Sequence, residues 1–248
     1  MQNTYFQFKQ FKVYHHKSSM KVGTDAVLLA CLCPSENTHH ILDIGCGSGV
    51  MPLILAQKCP AQITGIDIDK DSVEQANENF EISWWSDRLT AKHISIQDYV
   101  QKTTNKFDLI ISNPPFFVKS TKSPTASRNL ARHNDTLSFL DLIRSAKKLL
   151  NPKGIFSLVL PKTEGESFIE LALQNGFFLK TKTLIFPKAS KNYNRIIFDL
   201  CLYATKTIDK KLIIREENND YTQAYKNLSR DLYLTFWYYH LKSQKTDV

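Results

Sequence analysis

The stretch from residue 40 to residue 57 constrains the fold of this 248-residue chain more than any other. It reads as a short apolar strand, a glycine-rich turn and then an apolar helix that begins at Val50. The glycines of the turn are Gly45, Gly47 and Gly49. Glycines let the backbone approach a ligand closely, and a helix N-terminus presents free N–H groups. This order of elements predicts an α/β sheet with a ligand-binding loop after its first long strand.

An acidic residue follows the glycine loop at the sequence spacing expected for a ribose-binding carboxylate. A second buried strand, Gln62 to Ile68, carries Asp67 near its end, 22 residues after Gly45. A carboxylate at that place can accept hydrogen bonds from both hydroxyls of a ribose. The spacing Gly-x-Gly-x-Gly differs from that of dinucleotide-binding loops, which favours another adenosine-containing ligand. The alternative is that Asp67 only caps the following helix, Asp71 to Phe80.

Two consecutive prolines mark the second candidate site. They lie in the stretch Ser112-Asn113-Pro114-Pro115-Phe116, directly after the apolar strand from residue 107 to residue 111. Prolines lack an N–H group and fix φ, so the carbonyls around them stay available to accept other hydrogen bonds. The Asn113 amide oxygen is a further acceptor, and Phe116 offers an aromatic face. Such a set suits a flat ring with an exocyclic NH2 group; the alternative is a proline-stiffened turn.

A basic loop follows the prolines. No acidic residue occurs between Ser112 and Asp135. The cations that we expect to contact phosphates are Lys119, Lys122, Arg128 and Arg132. Cations beside a catalytic strand could hold an RNA backbone while the target base is extruded. The alternative is an ordinary solvated surface loop.

Composition narrows the class of protein. The net charge of +8 and the pI near 9.1 favour a polyanionic partner such as nucleic acid. No apolar run approaches the roughly 20 residues that span a bilayer, and no signal peptide is evident, so we expect a cytoplasmic protein without a membrane segment. The five cysteines show neither a Cys-x-x-Cys pair nor a metal-ligand spacing, which predicts reduced, mostly buried thiols and no bound metal.

Other aromatic and polar clusters allow two interpretations each. Phe80, Trp84 and Trp85 precede the third strand of the pattern and could stack on bases, but packing at a helix–strand junction is the favoured interpretation. Thr24 or Asp25 is well placed to cap a helix that runs to about Leu32.

The segments from residue 42 to residue 49 and from Asn113 to Phe116, with Asp67 between them, resemble class I S-adenosylmethionine-dependent methyltransferases that modify an exocyclic or amide nitrogen. Further segments resemble the bacterial valine tRNA (adenine-37-N6)-methyltransferase family, and the resemblance covers about residues 6–236. The segments that carry it are Phe8 to Phe11, Met20 to Asp25, Phe107 to Pro115, Leu212 to Arg215 and Tyr221 to Tyr225.

The resemblance implies a fold, a cofactor and a partner. The fold is α/β, a Rossmann-like class I methyltransferase with a mostly parallel seven-stranded sheet flanked by helices, whose last strand runs antiparallel inside the sheet. We expect one domain over residues 1–248, with residues 1–33 as an N-terminal hairpin and helix extension and residues 206–248 as a C-terminal extension. The implied cofactor is S-adenosyl-L-methionine and the implied partner is tRNA, bound by a monomer.

The resemblance also implies a set of site residues. The cofactor-binding residues would be Lys21, Thr24, Asp25, Asp43, Gly45, Gly47, Gly49, Asp67, Ser95, Ile96 and Asn113. The catalytic residues would be Asn113, Pro114, Pro115 and Phe116. The family usually has an acid that holds the cofactor's adenine amine, and here Ser95 occupies that position, with Asp98 as the alternative.

The expected reaction is direct methyl transfer to N6 of an adenine in a tRNA anticodon loop. The Asn113 oxygen and the Pro114 carbonyl would accept hydrogen bonds from the two amine protons, and Phe116 would stack on the ring. The reaction would need no general base, metal or nucleophile. Three alternatives stay open: a glutamine N5-methyltransferase acting on a protein, a guanine-N2 methyltransferase acting on ribosomal RNA, and a non-catalytic RNA-binding module. Intact glycines and Asp67 disfavour the last of these.

Overall fold

Short runs rich in Ile, Leu and Phe form the central strands, because each can be buried on both faces of a sheet. The computed structural model of the protein describes residues 4–18, 20–115 and 138–234. The strands are β1 (Tyr5–Gln7), β2 (Lys12–Tyr14), β3 (His40–Ile44), β4 (Gln62–Asp67), β5 (Leu89–His93), β6 (Phe107–Ser112), β7 (Leu150–Pro161), β8 (Phe178–Lys188), β9 (Arg195–Cys201) and β10 (Ile208–Arg215).

Helices connect most of the strands and cover both faces of the sheet. Those within the described residues are α1 (Thr24–Leu32), α2 (Val50–Lys58), α3 (Lys70–Glu81), α4 (Ile96–Lys102), α5 (Phe139–Leu149), α6 (Lys162–Gln174) and α7 (Gln223–Ser229). Two hydrophobic layers result. One lies between the sheet and α1, α2, α3 and α7, and the other lies under α5 and α6.

The main sheet of the described residues has eight strands in the order β10-β8-β9-β7-β6-β3-β4-β5. Strand β9 is antiparallel to both of its neighbours, β7 and β8, and the remaining pairs are parallel. The antiparallel strand inside the sheet is as predicted. Because α/β sheets bind ligands at the carboxyl ends of their parallel strands, the edge where β3, β4 and β6 end is the candidate site.

The predicted count of seven strands is wrong by one. Residues 208–215 of the C-terminal extension form β10, which pairs with β8 in parallel, with Leu212 opposite Ile185. The first four residues of β10 are exposed and two of them are lysines, so the segment lacks the apolar run of an inner strand. Its position at the sheet edge explains why a strand forms there without that signal.

The two ends of the described chain pack on the same hydrophobic layer. Phe8 of the β1–β2 hairpin is fully buried, and its ring lies 5.8 Å from that of Tyr233. The backbone N–H of Lys9 donates to the Leu232 carbonyl at 2.8 Å. Buried Asn79 of α3 donates to the carbonyls of both Tyr14 and Ser48, at 2.8 Å each, which joins the hairpin to the glycine loop.

The aromatic cluster before β5 is mainly a packing element, as favoured from the sequence. Phe80 is 2% exposed, and Trp85 meets Phe11 edge to face with 5.8 Å between ring centroids. Trp84 alone of the three is highly exposed, at 84%. None of the five cysteines forms a disulfide and four of them are buried, as predicted for mostly buried thiols. No helix in the described ranges has the length and apolar character to cross a membrane.

Candidate active site

Strand register brings three separate sequence motifs to one edge of the sheet. Ile44 of β3 is opposite Ser112 of β6 and also opposite Ile66 of β4. The next residues along these strands are Gly45, Asn113 and Asp67, so Asn113 and Asp67 flank Gly45 from the strands on its two sides. Neighbouring strands lie about 4.8 Å apart. The glycine loop, the acidic residue and the asparagine thus form one cluster.

The glycine loop has a backbone that other residues adopt only with strain. Gly45, Gly47 and Gly49 have φ angles of +78°, +52° and +81°. Gly49 is the N-cap of α2, and a Cβ there would lie 2.5 Å from the Phe80 ring. A Cβ on Gly45, in contrast, would meet nothing within 4 Å, so this part of the loop faces open space. The loop is therefore packed against Phe80 at Gly49 and open at Gly45, where a ligand can approach the backbone.

Asp67 is held by the loop rather than by the helix that follows it. Its Oδ2 accepts from the Gly47 N–H at 2.9 Å, and its Oδ1 accepts from the Asp69 N–H at 2.9 Å. Asp69, and not Asp67, is the N-cap of α3, accepting from the Asp71 N–H. The capping interpretation of Asp67 is therefore wrong. The half-buried carboxylate is fixed in position and keeps further lone pairs for a ligand.

Asp43 is the most unusual charge-bearing group of the site. It is fully buried in β3, and neither of its carboxylate oxygens has a hydrogen-bond partner among the described residues. Burial, with the negative charge of Asp67 as a second cause, holds the pKa of the Asp43 carboxyl well above its usual range. An orphaned carboxyl beside a glycine loop is costly to the fold, which is typical of a group that awaits a cationic ligand.

We expect Asp43→Asn to stabilise the ligand-free protein at neutral pH. Because the folded-state pKa is raised, the unfolded chain loses the Asp43 proton first, and this lowers the free energy of unfolding as pH rises above about 4. The slope is about −1.4 kcal/mol per pH unit until the folded-state carboxyl titrates. Urea unfolding of both proteins over a pH series measures it.

The exposed acid Asp71 supplies the matched control for this measurement. Asp71→Asn removes a carboxyl that is solvated in the folded state, so its unfolding free energy should follow that of the wild type at every pH. Parallel curves for the Asp43→Asn variant and the wild type would contradict a raised pKa at Asp43.

Ser112 fixes the strand end that carries Asn113. Its hydroxyl is fully buried and donates to the Ile44 carbonyl at 2.8 Å, which ties β6 to β3 immediately before the glycine loop. Asn113 is half-buried, Pro114 is buried and Pro115 is exposed. Sequence reasoning did not single out Ser112, although a serine that ends an apolar strand is a usable signal for a buried cross-strand hydrogen bond.

Ser95 and Asp98 form a reciprocal capping pair at the start of α4. The Ser95 hydroxyl donates to the Asp98 carboxylate at 2.9 Å and accepts from the Asp98 N–H at 3.0 Å. Ile96 is buried behind them. The Ile94 N–H donates to the Asp67 carbonyl at 2.9 Å, so this turn lies beside Asp67. The contact of either residue with an adenine stays a prediction.

The N-terminal part of the predicted cofactor set lies further along the same edge. Gly23 is the N-cap of α1 and no side chain caps the helix, so the expected capping by Thr24 or Asp25 is wrong. Asp25 instead pairs with Arg195, with 2.8 Å between Oδ2 and Nε. Arg195 begins β9, which β7 and β6 separate from the glycine loop on β3. Lys21 is exposed.

Part of the predicted site lies outside the described residues. This part comprises Phe116 and the basic residues Lys119, Lys122, Arg128 and Arg132. Their proposed roles therefore stay predictions.

Comparison with known proteins identifies the family. The family model for the methyltransferase small domain matches residues 9–183. A tRNA1(Val) (adenine(37)-N6)-methyltransferase of Phocaeicola vulgatus is 41% identical over 94% of this chain and 99% of its own length. A protein of the same name from Pseudoalteromonas translucida is 38% identical over 92% of this chain and 98% of its own. The chain belongs to this family.

Family membership confirms the resemblance and the fold class that the sequence predicted. Among solved structures, a predicted O-methyltransferase from Agrobacterium tumefaciens superimposes with a TM-score of 0.67 over 84% of this chain and 96% of its own, at 20% identity. At that identity the likeness shows the fold alone. The chain is a methyltransferase with the small-domain fold, and Asp43, Gly45, Asp67 and Asn113 lie together at the binding edge of that fold.

Proposed function

We propose that the protein transfers a methyl group from S-adenosylmethionine to N6 of the adenine at position 37 of a valine tRNA. The observation that carries the proposal is the placement of Asn113-Pro114 at the end of β6, beside the glycine loop at the end of β3. An acceptor for amine protons is thereby adjacent to a loop suited to an adenosine-containing ligand. The names of the relatives support the choice of adenine and of tRNA.

The residues of the site fit this cofactor in three respects. The orphaned Asp43 carboxyl suits the cationic amino group of a methionine moiety. The Asp67 carboxylate suits a ribose diol, and the open front of Gly45 leaves space for the backbone to approach a ligand. When bound, S-adenosylmethionine supplies a methyl group that its sulfonium already activates, so the protein needs no covalent intermediate.

The task of the chain is then to orient and polarise the amine. The lone pair of an adenine N6 is delocalised into the ring, which makes N6 a weak nucleophile. The Asn113 amide oxygen and the Pro114 carbonyl accept hydrogen bonds from its two N–H groups, which localises the lone pair and stabilises the positive charge that develops on nitrogen. Ser112 acts as a positioning residue, because its bond to Ile44 keeps Asn113 at a fixed distance from the glycine loop.

The RNA must present an unstacked base to this edge. Phe116 stacks on the extruded ring, and Lys119, Lys122, Arg128 and Arg132 contact phosphates, as the sequence predicts. The high positive charge of the chain supports an RNA partner, since phosphate contacts supply most of the sequence-independent affinity.

Product mapping tests the proposal. We expect the purified protein, incubated with total tRNA and labelled cofactor, to yield N6-methyladenosine immediately 3′ of an anticodon, as identified by nuclease digestion and mass spectrometry. Ribosomal RNA and a glutamine-containing protein substrate serve as parallel reactions. Label on guanine N2 or on a glutamine would show that the substrate assignment is wrong. Cofactor binding without any methylated product would favour the non-catalytic alternative.

A further inference from the structure

A cavity of about 250 Å³ opens on the same edge of the sheet as Asn113, beyond β7. Half-buried Ile214 supplies apolar surface at the carboxyl end of β10, with the fully buried Ile185 of β8 beneath it. The polar lining residues are Thr24, Asp25, Asn194, Arg195, Arg215 and Tyr221. An apolar floor with donors and acceptors around it suits a flat, polar ring.

Arg215 presents a flat cationic surface in this cavity. Its guanidinium lies 4.1 Å from the centroid of the Tyr221 ring, which is itself stacked at 4.8 Å and 14° on buried Tyr225. The guanidinium also donates to the Tyr221 hydroxyl and to the Asn219 carbonyl, at 2.9 and 2.6 Å. These contacts fix the orientation of the guanidinium plane. None of the described carboxylates forms an ion pair with Arg215. Unstacked RNA bases stack on such guanidinium planes.

The opposite wall is a fixed ion pair. Asp25 and Arg195 are joined at 2.8 Å, and their side chains are 25% and 29% exposed. Arg195 holds the Asp25 carboxylate in place and donates through Nη1 to the Asn194 carbonyl at 3.0 Å. The pair presents a carboxylate beside a guanidinium toward the edge of a base, and Asn194 and Thr24 add an amide and a hydroxyl. A purely anionic ligand would meet the Asp25 carboxylate, whereas a nucleobase can use both signs of charge.

The outer strands of the sheet are rich in positive charge, but only part of that charge lies near the cavity. Residues 178–215, which include β8, β9 and β10, contain nine lysines and arginines and two acidic residues. Lys182 and Lys210 lie toward the amino ends of β8 and β10, at the edge opposite the cavity, whereas Lys188 is opposite Arg215 at the cavity edge. Lys188 is therefore the cation placed to attract an RNA phosphate beside the cavity.

The cavity is close to the proposed target nitrogen but separate from the cofactor loop. Arg195 is opposite Pro161 at the end of β7, and β7 is the neighbour of β6. Two strand spacings of about 4.8 Å separate Arg195 from the strand that carries Asn113, and four separate Arg215 from it, so the cavity lies on the order of 10–20 Å from Asn113. On β3, the glycine loop is one strand further away.

We propose that this cavity binds an unpaired nucleotide of the RNA that neighbours the methylated adenine, with its base stacked on Arg215 and its edge read by the Asp25–Arg195 pair. The proposal rests on the proposed function, because it takes RNA as the substrate. It also reassigns Thr24 and Asp25, which the sequence predicted as cofactor-binding, to the substrate. Lys188, which is opposite Arg215 at the cavity edge, then contacts an adjoining phosphate.

The test combines a protein variant with an RNA variant. The probes are an anticodon stem-loop that the wild type methylates, and the same stem-loops with one abasic nucleotide on either side of the target adenine. We expect Arg215→Ala to raise KM about 5- to 100-fold with a near-normal kcat, since base stacking is worth about that factor. For the wild type, one of the two abasic stem-loops should have a KM that is higher by a similar factor. For Arg215→Ala, the same abasic stem-loop should raise KM almost no further.

Matched variants make the result specific. Arg230, which is 72% exposed, is the control, and Arg230→Ala should leave KM unchanged. Arg215→Lys keeps the charge but not the plane, so it should behave like Arg215→Ala. Full recovery in Arg215→Lys would mean that a phosphate binds there and would overturn base stacking.

Other outcomes also decide the matter. Equal KM values for Arg215→Ala, Arg230→Ala and the wild type would overturn the proposal. Weaker binding of S-adenosylhomocysteine by Arg215→Ala, with unchanged RNA affinity, would assign the cavity to the cofactor and overturn it as well. Thermal melting of each variant verifies folding. Failure of the proposed function is distinguishable, because it shows in the product formed by the wild type alone.

Discussion

Asn113→Ala should lower kcat about a hundred- to a thousandfold while the affinity for the cofactor stays close to that of the wild type. Removing one hydrogen-bonding group that acts in the transition state typically has an effect of this size. Asn113 follows Ser112, whose buried bond to Ile44 is made by the hydroxyl and not by Asn113, so truncation at residue 113 leaves the strand end in place. Single-turnover methylation of tRNA and calorimetric titration with S-adenosylhomocysteine measure the two quantities.

Two further variants define the chemistry at residue 113. Asn113→Asp keeps an oxygen that accepts a hydrogen bond from the target amine, so this variant should retain more activity than Asn113→Ala. Asn105→Ala alters an exposed asparagine that precedes β6 at the opposite, amino end and should match the wild type. Near-normal turnover of Asn113→Ala would overturn the mechanism. Loss of cofactor binding in that variant would instead assign Asn113 to the cofactor alone.

Asp67→Ala should remove most of the stabilisation that the cofactor gives to the folded protein. A ligand at a hundred times its dissociation constant raises the unfolding free energy by about 2.7 kcal/mol. Hydrogen bonds to a charged group contribute about 1.5–3 kcal/mol each, so the dissociation constant of S-adenosylhomocysteine should rise about tenfold to a hundredfold or more. Thermal melting with and without the ligand, followed by titration, measures the loss.

Because Asp67 also holds the Gly47 N–H, its removal could weaken binding through the loop alone. Comparing S-adenosylhomocysteine with its 2′-deoxy analogue separates the two effects. The wild type should bind the deoxy analogue more weakly, whereas Asp67→Ala should bind both alike. If the variant weakens both ligands by the same factor, Asp67 does not contact the ribose. Asp71→Ala, which removes an exposed carboxylate nearby, should bind both like the wild type.

Local signals were sufficient for the central parts of the fold and the site. The glycines at positions with positive φ, the carboxylate at the end of β4 and the prolines after β6 each act through backbone properties of their own residues. Alternating strands and helices then imply a parallel sheet, and a parallel sheet brings strand ends together at one edge. Gly45, Asp67 and Asn113 were predicted to meet for this reason, and the register confirms it.

Contacts between residues far apart in sequence determined two features that local sequence patterns did not predict, the strand β10 and the ion pair of Asp25. Strand β10 lies at the sheet edge with half of its residues exposed, so its pairing with β8 replaces the apolar run that identifies inner strands. Asp25 was expected to cap a helix from its position in sequence, but its partner Arg195 is 170 residues away. No local pattern indicates which distant cation a carboxylate meets.

The sequence by itself determined the reaction class and located the glycine loop, Asp67 and Asn113-Pro114, because the signal for each is contained within a few consecutive residues. Only the tertiary structure decided which basic residues face the site. Arg195 begins a strand, and in a parallel strand it would lie at the edge opposite the site; it lies on the site edge because β9 is antiparallel. Arg215 meets it there because β10 ends at that edge. Strand direction is a property of the whole sheet, and it placed the second cavity.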